Sequence, residues 1–394
     1  MDLISIGFFA LLGLAIGLYA VSVPQGDRNW WGLAAAIMIL VIASKLTHDS
    51  LAATIALDVA ELAAGALVWS HRTAEATAAA WKYLYAIIPG IACTLIAGSV
   101  IGTGAAQPQP AIEKLAVCLM IIGFALKLGL IPFYFWLPAV AAAAAPMTTA
   151  LIVSIVDIAT FGELAALRES SPRVFSEYAP VWMAVALLSM FGGVLLALAQ
   201  SELKRMLAFS TINDLGFLLL GLVIGSPAGI AGASIGALSH ALSKVILFGA
   251  VGFAERQIGQ TVTLDTRGIA ARLPLAGAAF IIGAFSFIGV PAGLGFVAYW
   301  RIYTAATEFG GPVLILALLM VAALDLLCYA RVIHRTWLGP AEIAVTGAPA
   351  YLAPAVLVFL AVVAVVLGSY PSALTAAVAS LGPSAMIAIE GGAV

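Results

Sequence analysis

Lys127 stands in an otherwise apolar run, five residues before Pro132. An ammonium at membrane depth costs about 3 kcal/mol or more unless it meets a counter-charge or water, so its presence points to chemistry. A desolvated lysine is also a group able to load and release a proton. Asp58 and Glu61 lie one turn apart in Leu57-Asp-Val-Ala-Glu-Leu62 and share a helix face. Two neighbouring acids in a low dielectric cannot both ionise cheaply, so this pair either holds a proton for relay or pairs with a lysine of an adjacent helix and ties helices together. His240 and Lys244 stand at i and i+4, on one face, where an imidazole beside an amine can hand a proton along a hydrogen-bonded chain. Asp157 and Glu163 share one apolar segment, and Asp157, nearer its middle, is a candidate partner of Lys127, either as a fixed pair or as a switch. Asp325, in Ala322-Ala-Leu-Asp-Leu-Leu-Cys328, is a further intramembrane acid; Arg331, His334 and Arg335 after it read as solvated helix-end anchors, as does Lys82 between Trp81 and Tyr83.

Other chemistry finds no support. There is no Gly-rich phosphate loop, nucleophile elbow or CxxC, and a histidine with a lysine is not a metal ligand set. Cys93, Cys118 and Cys328 lie in apolar segments and read as buried small hydrophobes. No catalytic site, metal or cofactor is expected in this chain.

The elements that must position these residues are membrane helices. The 394 residues are 63% hydrophobic and only 9% charged, with mean hydropathy +1.14, against about 25% charge in an average soluble domain. A net charge of −2 argues for neither a nucleic-acid nor an acidic partner, and no nucleic-acid partner is expected. Windows of about twenty apolar residues predict roughly twelve spans, at 3–23, 29–47, 50–70, 80–103, 114–137, 142–167, 178–200, 206–225, 228–254, 273–300, 311–335 and 351–376. The fifth is interrupted by Pro132 and Pro138, the tenth by Gly289, Pro291, Gly293 and Gly295, and two broken helices five spans apart are the trace of an internally repeated transporter. The start lacks the basic n-region and cleavage site of a signal peptide and reads as a retained helix. No loop exceeds about twenty residues, so residues 1–394 are expected to form a single transmembrane domain. Ten lysines and arginines follow odd-numbered spans against five after even-numbered ones, which predicts that both termini are external.

Four stretches resemble the antiporter-like membrane subunits shared by respiratory complex I, multisubunit cation/proton antiporters and membrane-bound hydrogenases. They are Lys127-Leu-Gly-Leu-Ile-Pro-Phe-Tyr-Phe-Trp-Leu-Pro138 with Ala145-Pro-Met-Thr-Thr-Ala150; Leu203-Lys-Arg-Met-Leu-Ala-Phe-Ser-Thr-Ile-Asn-Asp-Leu-Gly216; His240-Ala-Leu-Ser-Lys244; and Gly289-Val-Pro-Ala-Gly-Leu-Gly-Phe296. The resemblance implies an all-α fold, a shortened version of a fourteen-helix family that begins at the family's third helix. Peripheral helices over 1–47, inverted five-helix repeats near 50–200 and 206–335, and a C-terminal helix and tail over 351–394 are expected. It implies that an acid on the third span, Asp58 or alternatively Glu61, pairs with Lys127. Proton relay would run through these to Asp157, His240, Lys244, Tyr299 and Asp325.

The departures are Tyr134 for a histidine, Ala139 for an acid, Asp157 for a lysine, and Tyr299 for a lysine or glutamate. A phenol is a poor terminal proton site. The implied function is proton translocation within a redox-driven complex in a bacterial-type cytoplasmic membrane, with other membrane subunits and peripheral redox subunits as partners. Any quinone or iron–sulfur chemistry would sit on those subunits. The alternatives are a non-pumping structural subunit, or the proton-flow component of a two-component uptake system, for inorganic carbon for example.

Overall fold

In lipid an apolar run can satisfy its backbone only as helix or closed barrel. The computed structural model describes residues 2–26, 28–47, 49–101, 110–345 and 350–370, and these are helical apart from turns and one isolated bridge between Glu202 and Thr263. Ten helices are long and apolar enough to cross a membrane by length and composition. The first four crossings are α1 (Asp2–Ser22), α2 (Arg28–Leu46), α3 (Ser50–Trp69) and α4 (Ala74–Ile101). The fifth is broken into α5 (Pro110–Lys127) and α6 (Leu137–Ala143). The sixth runs through α7 (Pro146–Leu151), a π-helical turn at Ile152–Val156 and α8 (Asp157–Ser170). After the short α9 (Pro172–Ser176) come α10 (Ala179–Leu198), α11 (Leu203–Ile224) and α12 (Pro227–Ile258), then the single turn α13 (Ile269–Arg272). The tenth crossing joins α14 (Pro274–Phe287) to the first part of α15 (Leu294–Val332). A kink at Gly311-Pro312, with Gly311 at φ +59°, starts the eleventh crossing within α15, and α16 (Leu352–Ser369) is the twelfth. The tail from residue 371 lies outside the described residues.

Both breaks are helix caps rather than proline breaks. Lys127 is the last residue of α5, not an interior one, and Gly129 two residues on takes φ +62°, a conformation open to glycine. Leu130 N–H then donates to Ala125 O and Gly129 N–H to Leu126 O, the paired bonds of a Schellman cap. Pro132 falls after the cap, and Pro138 sits in the first turn of α6, where proline starts a helix. The tenth crossing repeats this cap 160 residues later: Gly289 has φ +77°, Val290 N–H donates to Phe285 O, and Gly289 N–H to Ser286 O. Helix α4 packs on both halves of the first broken helix and α12 on both halves of the second. The breaks fall in the fifth and tenth crossings, one odd-numbered and one even-numbered, so the two run through the bilayer in opposite senses.

Helices α11 and α12 form the centre. Each is buried over 94% of its apolar window, against 28% for α2 and α4, which explains why both are apolar all round apart from a few polar residues. A Cβ on Gly193 of α10 would lie 2.5 Å from Asn213 N, so the two backbones touch there. Gly193→Val is accordingly expected to cost about 1–3 kcal/mol and to lower the midpoint of thermal unfolding in detergent. Among the cysteines only Cys328 is buried; Cys93 is half-buried and Cys118 exposed on α5, contrary to the expectation of three buried thiols, because the outer helices turn part of their apolar surface outward.

Candidate functional site

Two clusters of buried charge lie beside the two breaks. In the first, α3 begins at an Asp49 N-cap, whose side chain accepts from Ala52 N–H, and carries Asp58 and Glu61 inward on one face. Lys127, at the C-terminus of α5 where the helix dipole favours a cation, extends its ammonium to Asp58 Oδ1 at 2.9 Å, Glu61 Oε1 at 3.2 Å and Glu163 Oε2 at 3.2 Å. The lysine stem has room because a Cβ on Gly90 of α4 would lie only 2.9 Å from Lys127 Cγ. Thr160 donates to Glu61 Oε1 at 2.7 Å and Thr54 to Glu163 Oε1 at 2.8 Å. The alternative between Asp58 and Glu61 dissolves: both hold the ammonium.

Asp157 does not. It is buried, with Oδ2 unpartnered, and Glu163 takes the contact with Lys127. Six residues separate the two acids, about 9 Å along α8 and about 120° around it, so both cannot reach one ammonium.

The second cluster joins α11, α12 and α15. His240 Nδ1 lies 2.6 Å from Asp214 Oδ2, and the Tyr299 hydroxyl donates to Asp214 Oδ1 at 2.6 Å. Lys244 donates to Ser210 Oγ at 2.7 Å and Leu207 O at 3.0 Å, and Ser210 Oγ is 2.9 Å from the Tyr329 hydroxyl. The repeated caps align Lys127 with Phe287, and Lys244 Nζ lies 4.0 Å above the Phe287 ring. So α12, one helix over, supplies the lysine that the break lacks. Asp325 is buried with Oδ1 unpartnered. Tyr134 packs its ring against Phe209.

Between the clusters, the π turn and α8 pack on both α12 and α3. Ser154 and Asp157 on the sixth crossing and Ser243 on α12 each have a buried polar oxygen without a partner there. Among the described residues, no His, Cys, Asp and Glu side chains group into a set able to hold a metal ion.

The residues not anticipated are Glu163 as a ligand of Lys127, with Thr160, Asp214, Ser210 and Tyr329. Asp214 and Ser210 lie inside the Leu203–Gly216 motif, and Glu163 follows Thr160 at helical spacing. Nothing in the chain marks Tyr329.

An integral membrane protein with two capped helix breaks in inverted crossings, each beside a buried lysine network, belongs to the antiporter-like class of membrane subunits. The chain is a member of the NADH:quinone oxidoreductase/Mrp antiporter transmembrane family, whose model matches residues 103–324. It is 30% identical over 291 residues to NADH-quinone oxidoreductase subunit N of Rhodococcus opacus, covering 72% of this chain and 52% of that one. The chain thus spans about half the length of such curated relatives. In fold it is similar to a chain of the Mrp complex from Dietzia sp. DQ12-45-1b, with TM-score 0.84 at 21% identity over 93% of this chain and 80% of that one. A chain of Thermus thermophilus respiratory complex I with bound NADH gives TM-score 0.83 at 20% identity, over 97% and 83%.

Proposed function

We propose that this chain is a proton-translocating membrane subunit of a multisubunit, redox-driven complex of the complex I type. The observation that carries the reading is the Lys127 ammonium within 3.2 Å of three carboxylates from two helices. A structural ion pair needs one acid. One ammonium cannot neutralise three, and uncompensated buried charge is costly, so the cluster is neutral only when it also stores protons. It is therefore a site whose proton content depends on which carboxylates are close. Moving one from about 3 Å to about 6 Å of the ammonium, at an effective dielectric constant near 20, changes their attraction by about 3 kcal/mol. That is about a hundredfold in proton occupancy.

A neighbouring subunit that shifts α3 or α8 would in this way load or empty the site. The unpartnered oxygens of Ser154, Asp157 and Ser243 support a route from Lys127 toward His240 and Lys244, and Tyr299, Asp214 and Asp325 support its continuation. Other membrane subunits and peripheral redox subunits are the partners of this reading, a bacterial-type cytoplasmic membrane its location, and external termini its orientation.

The test uses the assembled complex in sealed vesicles. Asp58→Asn and Glu61→Gln are each expected to slow proton uptake per redox turnover, and together to reduce it at least tenfold. Undiminished uptake in the double variant would overturn the reading. It would favour the non-pumping structural subunit, for which the aromatic groups Phe287 and Tyr299 at the second break are the specific observation.

A further inference from the structure

We propose that Glu163 is the port through which the Lys127 cluster exchanges protons with the membrane face where α2 ends and α3 begins. This rests on the relay reading of Lys127. Among the four charged groups of the cluster Glu163 is the open one: its side chain is 19% exposed, against 7% for Asp58, 1% for Glu61 and 0% for Lys127. Its two oxygens take different partners. Oε2 accepts from Lys127 inside, and Oε1 accepts from Thr54, a half-buried residue one turn into α3.

The crossings place this opening toward one face. Helix α2 ends at Leu46 where α3 starts at Ser50, and α8 returns to the same side at Ser170, since an even number of crossings separates the two ends. Glu163 lies seven residues from that end, about 10 Å. Lys45, one residue from the end of α2, donates to Ala159 O of α8 at 3.4 Å. Glycine at 162 leaves its ammonium space, since a Cβ there would lie 3.2 Å from Nζ.

The step is a simple transfer. An N–H bond of the Lys127 ammonium breaks and an O–H bond forms on Glu163 Oε2, leaving a neutral amine hydrogen-bonded to Asp58 and a carboxylic acid at the mouth. The acid then releases its proton to water on that face, and the reverse sequence loads the site.

Single cysteines test the opening in vesicles holding the assembled complex, with Cys93, Cys118 and Cys328 replaced by alanine and redox turnover verifying assembly. A charged, membrane-impermeant methanethiosulfonate is expected to label Glu163→Cys and Thr54→Cys from one face only, at least tenfold faster than Asp58→Cys. Equal rates at Glu163→Cys and Asp58→Cys, or no labelling of Glu163→Cys, would overturn the port. Glu163→Gln is expected to cut proton uptake per turnover at least tenfold, with Glu163→Asp restoring part of it. Normal uptake in Glu163→Gln alongside loss in Lys127→Ala removes the port and leaves the relay standing. Normal uptake in Lys127→Ala removes the relay, while the labelling still reports on the opening.

Discussion

Lys127→Ala is expected to reduce proton uptake to about 1% of the parent rate or less, measured with a pH-indicating dye in vesicles and normalised to redox turnover. The substitution takes away the ammonium held by Asp58, Glu61 and Glu163 and leaves the three acids facing one another. Stranding buried charge in this way costs about 3–5 kcal/mol, which the cluster escapes by taking up protons it can no longer pass on. A fall in thermal midpoint alone would not separate relay from structure, so Lys127→Arg is the informative companion. A guanidinium keeps the positive charge but does not give up its proton in a protein. The expected result is a folded, assembled complex that does not translocate. If Lys127→Arg translocates normally, the ammonium serves only as a counter-charge and the relay reading fails.

Asp214→Asn carries the second large effect. Asp214 accepts the Tyr299 hydroxyl on one oxygen and pairs with His240 on the other, both at 2.6 Å, so it ties the second broken helix to α12 through α11. Hydrogen bonds to a charged group contribute about 1.5–3 kcal/mol each, and the amide keeps the shape while losing the charge. Uptake is expected to fall at least tenfold in Asp214→Asn. It should fall only a few-fold in Tyr299→Phe, which removes one donor and leaves the Asp214–His240 contact. Equal and complete loss in both would make the phenol itself an obligatory carrier. Normal uptake in Asp214→Asn would place the route elsewhere.

The chain alone determined that this is a polytopic helical membrane protein with breaks in its fifth and tenth crossings, because apolar run length and Gly/Pro punctuation are local properties. It also singled out Asp58, Glu61, Lys127, His240 and Lys244, since charge in an apolar segment is visible without any neighbour, and the i, i+3 and i, i+4 spacings put the members of each pair on one face. What it could not determine was which charges meet. Whether Asp157 or Glu163 reaches Lys127 depends on the rotation and depth of α8 against α3 and α5, which a π turn and packing set. That Lys244 stands over Phe287, and that Asp214 links Tyr299 to His240, follows from α11 and α12 lying side by side in the centre of the fold. Even the lysine beside the helix break changed meaning: it ends α5 because Gly129 folds the next turn into a left-handed cap, and this places its ammonium at the helix C-terminus amid three acids. Side-chain type is written in the chain, whereas the pairing of charges is a property of helix rotation and register, which only tertiary packing supplies.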